Sequence, residues 1–450
     1  MSTKSQLEHL GLFDARVPRY TSYPTAPHFT PAVDETTYRG WISSITGHES
    51  ISLYLHVPFC RRLCWFCACR TQGTQSDAPV RAYVETLLAE LEMLRKALPE
   101  GIRLSRLHWG RHADAAGARP RHAACGCGPC RLSSGRRCRV LGRDRPQRNR
   151  RPRMEALAAA GLTRASIGVQ DFDPEIQKTI GREQSFEVTA RAVDLVRAHG
   201  IASLNADILF GLPGQDHEKI AQTVQKLLAL SPDRVALYGY AHVPWVARRQ
   251  VMIPPESLPA PRDRLALFEV ARALFVADGY VEIGIDHFAR PGDGLAQAQR
   301  DKRLRRNFQG YTDDAAQVLI GLGASSISRF PQGYAQNAPA TGAHSGAIRE
   351  GRFSVSRGHV FTPEDLWRAR MIEALMCDFA VDFAALRRDF GLDDSAIAAA
   401  VAPISARFRD MVELSRDRLE ITPEGRPLVR MIAQMLDRYD APALSHSTAI

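Results

Sequence analysis

ISLYLHVPFCRRLCWFCACR, running from Ile51 to Arg70, is the stretch on which the reading of the fold turns. Its first half alternates as a strand does and breaks at Pro58. Its second half sets Cys60, Cys64, Cys67 and Cys69 on one loop. A C-x3-C-x2-C spacing puts three thiolates on a tight loop, where they can converge on a single metal centre. A structural zinc site would want a second C-x2-C or Cys/His pair further along. Iron–sulfur clusters are held by thiolates in short runs of this kind, usually four of them. Three thiolates would leave one iron of a four-iron cube open for a substrate or cofactor. Four incidental core cysteines are a poorer reading, because Trp65 and Phe66 interrupt them without any core period.

At 450 residues, with 45% apolar and 24% charged residues, the chain has the composition of an ordinary soluble protein of two or three units. The N-terminal MSTKSQLEHLGLF lacks the features of a signal peptide. No segment reaches the roughly 18–20 apolar residues of a membrane helix. Clustered cysteines without an export signal predict a cytoplasmic, reducing setting. The net charge of +10 would ordinarily point to nucleic acid. Residues 111–150, however, hold eleven Arg and two Asp, and the rest of the chain is balanced to within one charge. A nucleic-acid partner is therefore not expected.

Outward from the cysteine loop, residues 1–50 read as an ordered, extended arm around PRYTSYPTAPHF (Pro18–Phe29). Ala78–Leu98 has helical periodicity, and Leu104–Trp109 reads as a strand ending at Gly110. After residue 150, helices at 153–160, 186–199, 218–230 and 262–278 alternate with strands at 163–170, 203–210, 234–240 and 281–285. Gly200 closes the second of these helices. Such alternation predicts a parallel sheet with βα crossovers. Polar residues gather where the strands end, at Gln170, Asp207, Ala241–His242 and Asp286–His287, as they do in barrel enzymes. A doubly wound sheet fits the alternation almost as well. From about residue 333 a mainly helical unit is expected, and LEITPEGRPLVRMIAQML near its end resembles the wing and helix of a winged helix.

Residues 111–150, RHADAAGARPRHAACGCGPCRLSSGRRCRVLGRDRPQRNR, break the pattern. They contain no aromatic residue, only Leu132, Val140 and Leu141 as bulky aliphatics, and no helix or strand period. Cys125, Cys127, Cys130 and Cys138 could form a second metal site, and an Arg-rich RNA-binding insert is another reading. Translation out of frame accounts for more. Codons for Arg111–Ala116 can be chosen so that a one-base shift gives Gly-Thr-Pro-Thr-Leu-Leu. Codons for Arg143–Arg150, shifted in the same way, can give Glu-Ile-Asp-Pro-Asn-Glu-Thr.

The cysteine spacing behind Tyr54-x-His56-x-Pro58-Phe59 resembles the radical S-adenosylmethionine (radical SAM) superfamily. PRYTSYPTA (18–26), GVQDF (168–172), GREQ (181–184), DILFGLPGQ (207–215), YAHVP (240–244), DHFARP (286–291) and NFQGYT (307–312) join it. Together these resemble the bacterial oxygen-independent coproporphyrinogen III oxidase family of haem synthesis, over essentially the whole chain except residues 111–150. The resemblance implies an α/β fold: a partial (β/α) barrel of radical-SAM type over 51–332, with an N-terminal arm over 1–50 and a C-terminal mainly helical domain over 333–450. It also implies a [4Fe–4S] cluster on Cys60, Cys64 and Cys67, with Cys69 not a ligand. Two molecules of S-adenosylmethionine would be lined by Tyr54, Phe66, Gly110, Gln170, Arg182, Asp207, Ala241 and Ile327.

The implied reaction turns two propionates of coproporphyrinogen III into vinyl groups. A 5′-deoxyadenosyl radical removes a hydrogen from the β-carbon, and carbon dioxide and one electron then leave. An electron donor and an acceptor, neither identifiable from sequence, are required, and a monomer is expected. Arg19 and Arg290 are candidates to pair the propionates. The related haem chaperones are the alternative, but they lack the PRYTSYPTA arm. The chain departs from the family at one place. The family has Gly-Gly-Gly-Thr-Pro after the Trp and a cofactor-binding glutamate near Arg143, whereas here Arg111 and His112 follow Gly110. Taken as written, the chain should bind its cluster but bind S-adenosylmethionine badly. The shifted frame restores both features.

Overall fold

A computed structural model of the chain describes residues 3–110, 139–144, 151–159, 161–439 and 447–450. The stretch before the cysteines forms strand β1 (Ser50–His56), with Ile51, Leu53 and Leu55 in the core. By strand alternation the opposite face carries Ser52, Tyr54 and His56. Next across the sheet come β2 (Arg103–Gly110), β3 (Arg139–Asp144), β4 (Leu162–Gln170), β5 (Ser203–Phe210) and β6 (Arg234–Gly239). Each is parallel to the strand before it. Parallel neighbours need long crossovers. Helices α1 (Ala78–Ala97), α2 (Arg151–Ala159), α3 (Phe186–Ala198) and α4 (His217–Ala229) supply four of the five, the connection between β2 and β3 lying outside the described residues, and α5 (Pro261–Ala277) follows β6. Because the strands lie side by side in chain order, the sheet winds one way, as a (β/α) barrel does. It does not reverse as a doubly wound sheet would.

Three features differ from the sequence reading. Residues 281–285 were expected to add another parallel strand. Instead β7 (Val281–Ile283) turns back through Gly284–Asp286 into β8 (His287–Ala289), and β8 pairs antiparallel with β6. Three residues cannot make a crossover, so the return must be antiparallel. Gly284 sits at φ +55°, and a Cβ there would fall 2.1 Å from the Tyr311 hydroxyl. The second difference concerns residues 111–150, where no strand period was read. Residues 139–144 do form one, because Val140 and Leu141 lie between β2 and β4 and both backbone edges are paired. The out-of-frame reading, and the second metal site or RNA-binding insert built on Cys125, Cys127, Cys130 and Cys138, otherwise lie outside the described residues.

The third difference is the boundary placed at 332/333. On the far side of β1 lies β9 (Val318–Leu322), parallel to it, and then β10 (Ile327–Phe330), β11 (Gly333–Asn337) and β12 (Val355–Val360), all antiparallel. The sheet therefore has twelve strands, in the order β12-β11-β10-β9-β1-β2-β3-β4-β5-β6-β8-β7. It runs on past residue 333 because Tyr334 and Ala335 are buried in it. Helix α6 (Pro363–Asp378), opened by a Thr362–Asp365 capping box, begins the C-terminal unit. Its three-stranded sheet, Ala380–Asp382, Val412–Leu414 and Arg418–Ile421, leads through a 3-10 turn into α7 (Val429–Gln434).

The N-terminal arm is shared between two cores. Leu7, Leu12, Val17, Tyr20 and Tyr23 pack into the C-terminal unit, while Val33, Tyr38, Trp41 and Ile42 pack into the barrel. Arg430 ties the chain ends together, donating to the carbonyls of Pro18 (3.1 Å), Thr448 (3.1 Å) and Ala449 (2.8 Å). No described helix is long and apolar enough to cross a membrane.

Two polar side chains of α1 are buried two turns apart. The Tyr83 hydroxyl donates to His56 O (3.1 Å) and accepts from the Ala324 N–H (2.7 Å). Glu90 accepts from the Gly323 N–H (2.7 Å) and from Asn337 (2.9 Å). The helix thus joins the end of β1 to the turn between β9 and β10. Burial pushes the Glu90 carboxyl up to about 8, and burial pushes His344, 3.5 Å away, down to about 4. Both are uncharged near neutrality, so they do not form an ion pair. Since Glu90's folded value lies above its unfolded value, its stabilisation is full below about 4.5 and is lost as pH rises through about 8. We expect Glu90→Gln to gain about 1 kcal/mol or more on the wild type between pH 5 and pH 8 in urea unfolding. Parallel stability curves would contradict this.

Candidate active site

The cysteine loop is closed at its base by a two-residue parallel ladder in which Phe59 pairs with Gln72 and Cys60 with Gly73. The Gln72 N–H donates to Pro58 O (2.7 Å) and the Thr74 N–H to Cys60 O (2.9 Å). Cys60 and Cys64 are buried, and Cys67 and Cys69 are half-buried. Segments that follow two further strands hold the far side of the loop. The Trp65 N–H donates to Ile180 O (3.0 Å), and Gly181, at φ +65°, leaves room for the Trp65 ring, which a Cβ would meet at 3.0 Å. Gln250 donates to both Phe66 O (2.8 Å) and Ala241 O (2.9 Å). This joins two of the predicted residues through one amide.

Arg182 is buried, and each of its nitrogens faces a protein partner: Gly168 O at 2.8 Å, Gln184 Oε1 at 3.2 Å and Cys64 Sγ at 3.7 Å. It therefore fixes the cysteine loop to the end of β4. There the strand bulges between Gly168 and Gln170, and Gln170 adopts φ +75°, a conformation rare for a side chain other than glycine. Such strain gathers at functional sites. Gln184, which also donates to Gly168 O (3.2 Å), belongs to this cluster and was not singled out from the sequence, although it lies in GREQ.

Tyr54, Gly110 and Asp207 line one cavity of about 300 Å³ inside the barrel. The Tyr54 ring lies against Gly110 so closely that a Cβ would fall 2.2 Å from its hydroxyl, which bonds His56 Nδ1 at 2.8 Å. Asn205 donates to Asp207 at 2.9 Å. Ile327 reaches the same region through β9, where Gly321, the partner of Tyr54, lies against the Ile327 carbonyl. The structure adds a charged floor that the sequence reading missed. Arg106 pairs with Asp313 (2.7 Å) and Arg234 with Asp293 (2.6 Å), while burial and then Arg234 push Arg164 down to about 9. Burial and then Arg106 push His108 down to about 4, leaving a neutral ring whose Nε2 has no partner among the described residues. The spacing of Arg106, His108 and Gly110 was a usable signal, since polar residues at i, i+2 in a buried strand face one side.

Of the two arginines expected to pair propionates, the structure separates one from the site. Arg290 stacks on Tyr280 (4.1 Å) and binds Asp278 through its backbone carbonyl (2.7 Å) and its carboxylate (2.9 Å), at the outer edge of the sheet. It is committed there. Arg19 is exposed to a second cavity, of about 360 Å³, between the barrel mouth, the arm and the C-terminal unit. Its guanidinium donates to Gly239 O (2.8 Å). Although it opens on the cavity, the protein packed around its guanidinium holds it below the usual arginine range, against the pull of Asp286 and Tyr238, with Arg306 adding a smaller push in the same direction. Asp286 is raised by burial but held low by His287, Arg306 and Arg19.

Residues 54–227 match the radical SAM superfamily and residues 361–428 the HemN C-terminal domain. The oxygen-independent coproporphyrinogen III oxidase of Paracoccus denitrificans is 66% identical over all of both chains. That of Cereibacter sphaeroides is 54% identical over 98% of each. The chain belongs to the oxygen-independent coproporphyrinogen III oxidases. A solved structure of the Escherichia coli coproporphyrinogen III oxidase, a radical SAM enzyme, superposes on this family member with a TM-score of 0.86. That match has 31% identity and covers 94% of this chain and 98% of that one.

A [4Fe–4S] cluster and S-adenosylmethionine are the cofactors of this superfamily. The donor chemistry of the oxidase's loop suits the cluster: three cysteines on one backbone-closed loop, Arg182 against one sulfur, and no acidic residue from Cys60 to Gly73. Among the described residues, no three His, Cys, Asp or Glu side chains converge as ligands of a single ion would. Thiolates on a cube each take a different iron and stand further apart.

Proposed function

We propose that the chain converts coproporphyrinogen III to protoporphyrinogen IX by oxidative decarboxylation of two propionates, without oxygen. The observation that carries this reading is the full-length membership of the oxidase family, together with a backbone-closed cysteine loop that follows β1, the strand whose Tyr54 lines a polar cavity. The cluster and S-adenosylmethionine supply, when bound, the 5′-deoxyadenosyl radical that takes hydrogen from the substrate. In this reading Cys60, Cys64 and Cys67 hold the cluster. Tyr54, Phe66, Gly110, Gln170, Arg182, Asp207, Ala241 and Ile327 surround two S-adenosylmethionine molecules. Asp207 accepts from a hydroxyl or ammonium, and Phe66 offers a stacking face. Arg182 orients the loop through Cys64 and Gly168.

Arg19 is the residue we assign to a substrate carboxylate, since it alone of the two candidate arginines faces a cavity. Arg19→Gln is expected to raise KM for coproporphyrinogen III about tenfold with kcat within about threefold, the pattern of lost uniform binding. An unchanged KM would remove Arg19 from the site. The same reading makes the chain a cytoplasmic monomer that takes electrons from a separate donor and gives one to a separate acceptor, without nucleic acid or membrane.

The test is anaerobic incubation of the reconstituted enzyme with dithionite, S-adenosylmethionine and coproporphyrinogen III. Protoporphyrin IX after air oxidation, with two 5′-deoxyadenosines per product, supports the reading. Intact coproporphyrin alongside cleaved S-adenosylmethionine would reject this substrate.

A further inference from the structure

Four of the eight large hydrophobic side chains that stand exposed among the described residues lie in one stretch: Trp245 (51%), Val246 (64%), Val251 (70%) and Met252 (55%). Local geometry explains how they come to face outward. Arg248–Met252 is a 3-10 helix, in which every third residue shares a face. Ala247, Gln250 and Ile253 fill the inner face and are buried. The fold thus needs only those three positions to be inward and compatible. It does not call for Trp, Val and Met on the other face, where polar residues are the norm, and a clustered apolar patch marks an interaction surface.

The inner face fixes this turn to the cysteine loop. Gln250 donates to Phe66 O at 2.8 Å, and Arg249 donates to Cys67 O and to the Thr71 hydroxyl, both at 3.4 Å. The patch is therefore the outer surface of the shell around the loop. Its charge has one sign. Val243–Pro255 contains two arginines and no acidic residue, and Cys60–Gly73 contains three arginines and none. Arg61 and Arg62 are already paired, with Asp77 and Glu183. Arg70 and Arg248 are exposed at the rim, and Arg16 lies 5.4 Å over the Trp245 ring. Trp, Met and Arg inside a basic rim is the composition of an interface core.

We propose that the outward face of Trp245–Met252, with its rim of Arg16, Arg70 and Arg248, docks an acidic one-electron carrier protein that reduces the cluster. This rests on the reading that Cys60, Cys64 and Cys67 hold that cluster. The carrier donates one electron and is itself oxidised by one. None of Trp245–Met252 lines either cavity, so donor and substrate do not compete. Opposite charge accelerates the encounter, and a small apolar centre suits a complex that must separate after each transfer.

The test follows cluster reduction by stopped-flow absorbance in the full, cluster-loaded chain, using reduced flavodoxin as the acidic carrier and dithionite as the small reductant. The double variant Val251→Asp/Met252→Asp changes only exposed positions. Its second-order rate constant with flavodoxin should fall about tenfold or more while the dithionite rate stays within about twofold. Arg248→Glu should flatten the salt dependence of the flavodoxin reaction. An unchanged flavodoxin rate, or equal losses with both reductants, would overturn the proposal. So would wild-type binding to anionic phosphatidylserine vesicles that the variant loses while its flavodoxin rate is kept, because the patch would then serve a membrane. Reduction does not involve coproporphyrinogen, so a cluster that reduces normally in an enzyme that forms no protoporphyrin would count against the proposed reaction and not against this surface.

Discussion

Two chains that differ only in residues 111–150, one as written and one carrying the one-base-shifted sequence, are expected to differ by about a hundredfold or more in S-adenosylmethionine cleavage. The reasoning starts at Gly110, where Tyr54 packs into the space a Cβ would take and the cavity begins. The family resemblance implies that the backbone that follows approaches the cofactor closely, which glycine permits more readily than a residue with a Cβ such as arginine. At the other end, Arg143 pairs in register with Ser166, which lines the same cavity. The shifted frame brings a glutamate into this neighbourhood and reverses the charge. Cluster loading should be equal in the two chains, since the contacts of the cysteine loop among the described residues come from 58–77, 180–183, 241–250 and Thr341. Resequencing the coding DNA from Leu107 to Met154, and quantifying 5′-deoxyadenosine from both proteins, checks the expectation. Equal cleavage would reject the out-of-frame reading.

Replacing Cys60, Cys64 or Cys67 by Ala, one at a time, should each reduce bound iron to a small fraction of the wild-type value and abolish S-adenosylmethionine cleavage, because a cube held by two thiolates is not retained. Cys69→Ala should keep both. The fold should survive every one of these changes, because the base of the loop is a backbone ladder and Gln250 and Arg249 hold it through the carbonyls of Phe66 and Cys67; Cys64→Ala loses only the Arg182 contact. Iron analysis, visible absorption and circular dichroism separate the two effects. An iron loss for Cys69→Ala matching the other three would make it a ligand and contradict the assignment.

Much of the barrel was legible because its strands are short, apolar and bounded by turns, and its helices carry a clear stripe. Ala78–Leu98 was expected and Ala78–Ala97 is helical, and Gly200 closes α3 at φ +71° as anticipated. The reversal at β8 was not legible, since His287–Ala289 is too short to show a period and its direction is set by the three-residue turn before it. The β10–β12 extension was hidden by glycines and polar residues that are nonetheless buried, such as Gln336 and Asn337. In the site, the cysteines and glycines were readable because their chemistry and spacing are specific. Glu90 was not, because a glutamate in mid-helix looks like part of a solvated face until the turn at Gly323 is placed against it. Arg290 was named because it sits inside a recognisable motif; Arg306, just outside one, was not singled out, and the fold turns it toward Asp286 and the cavity.

The measurement that bears most directly on the central claim uses coproporphyrinogen III deuterated at the β-carbons of its propionates. Under anaerobic turnover with dithionite, the account predicts deuterium in 5′-deoxyadenosine, one atom for each propionate converted to vinyl. Protoporphyrinogen formed with unlabelled 5′-deoxyadenosine, or with none, would contradict it.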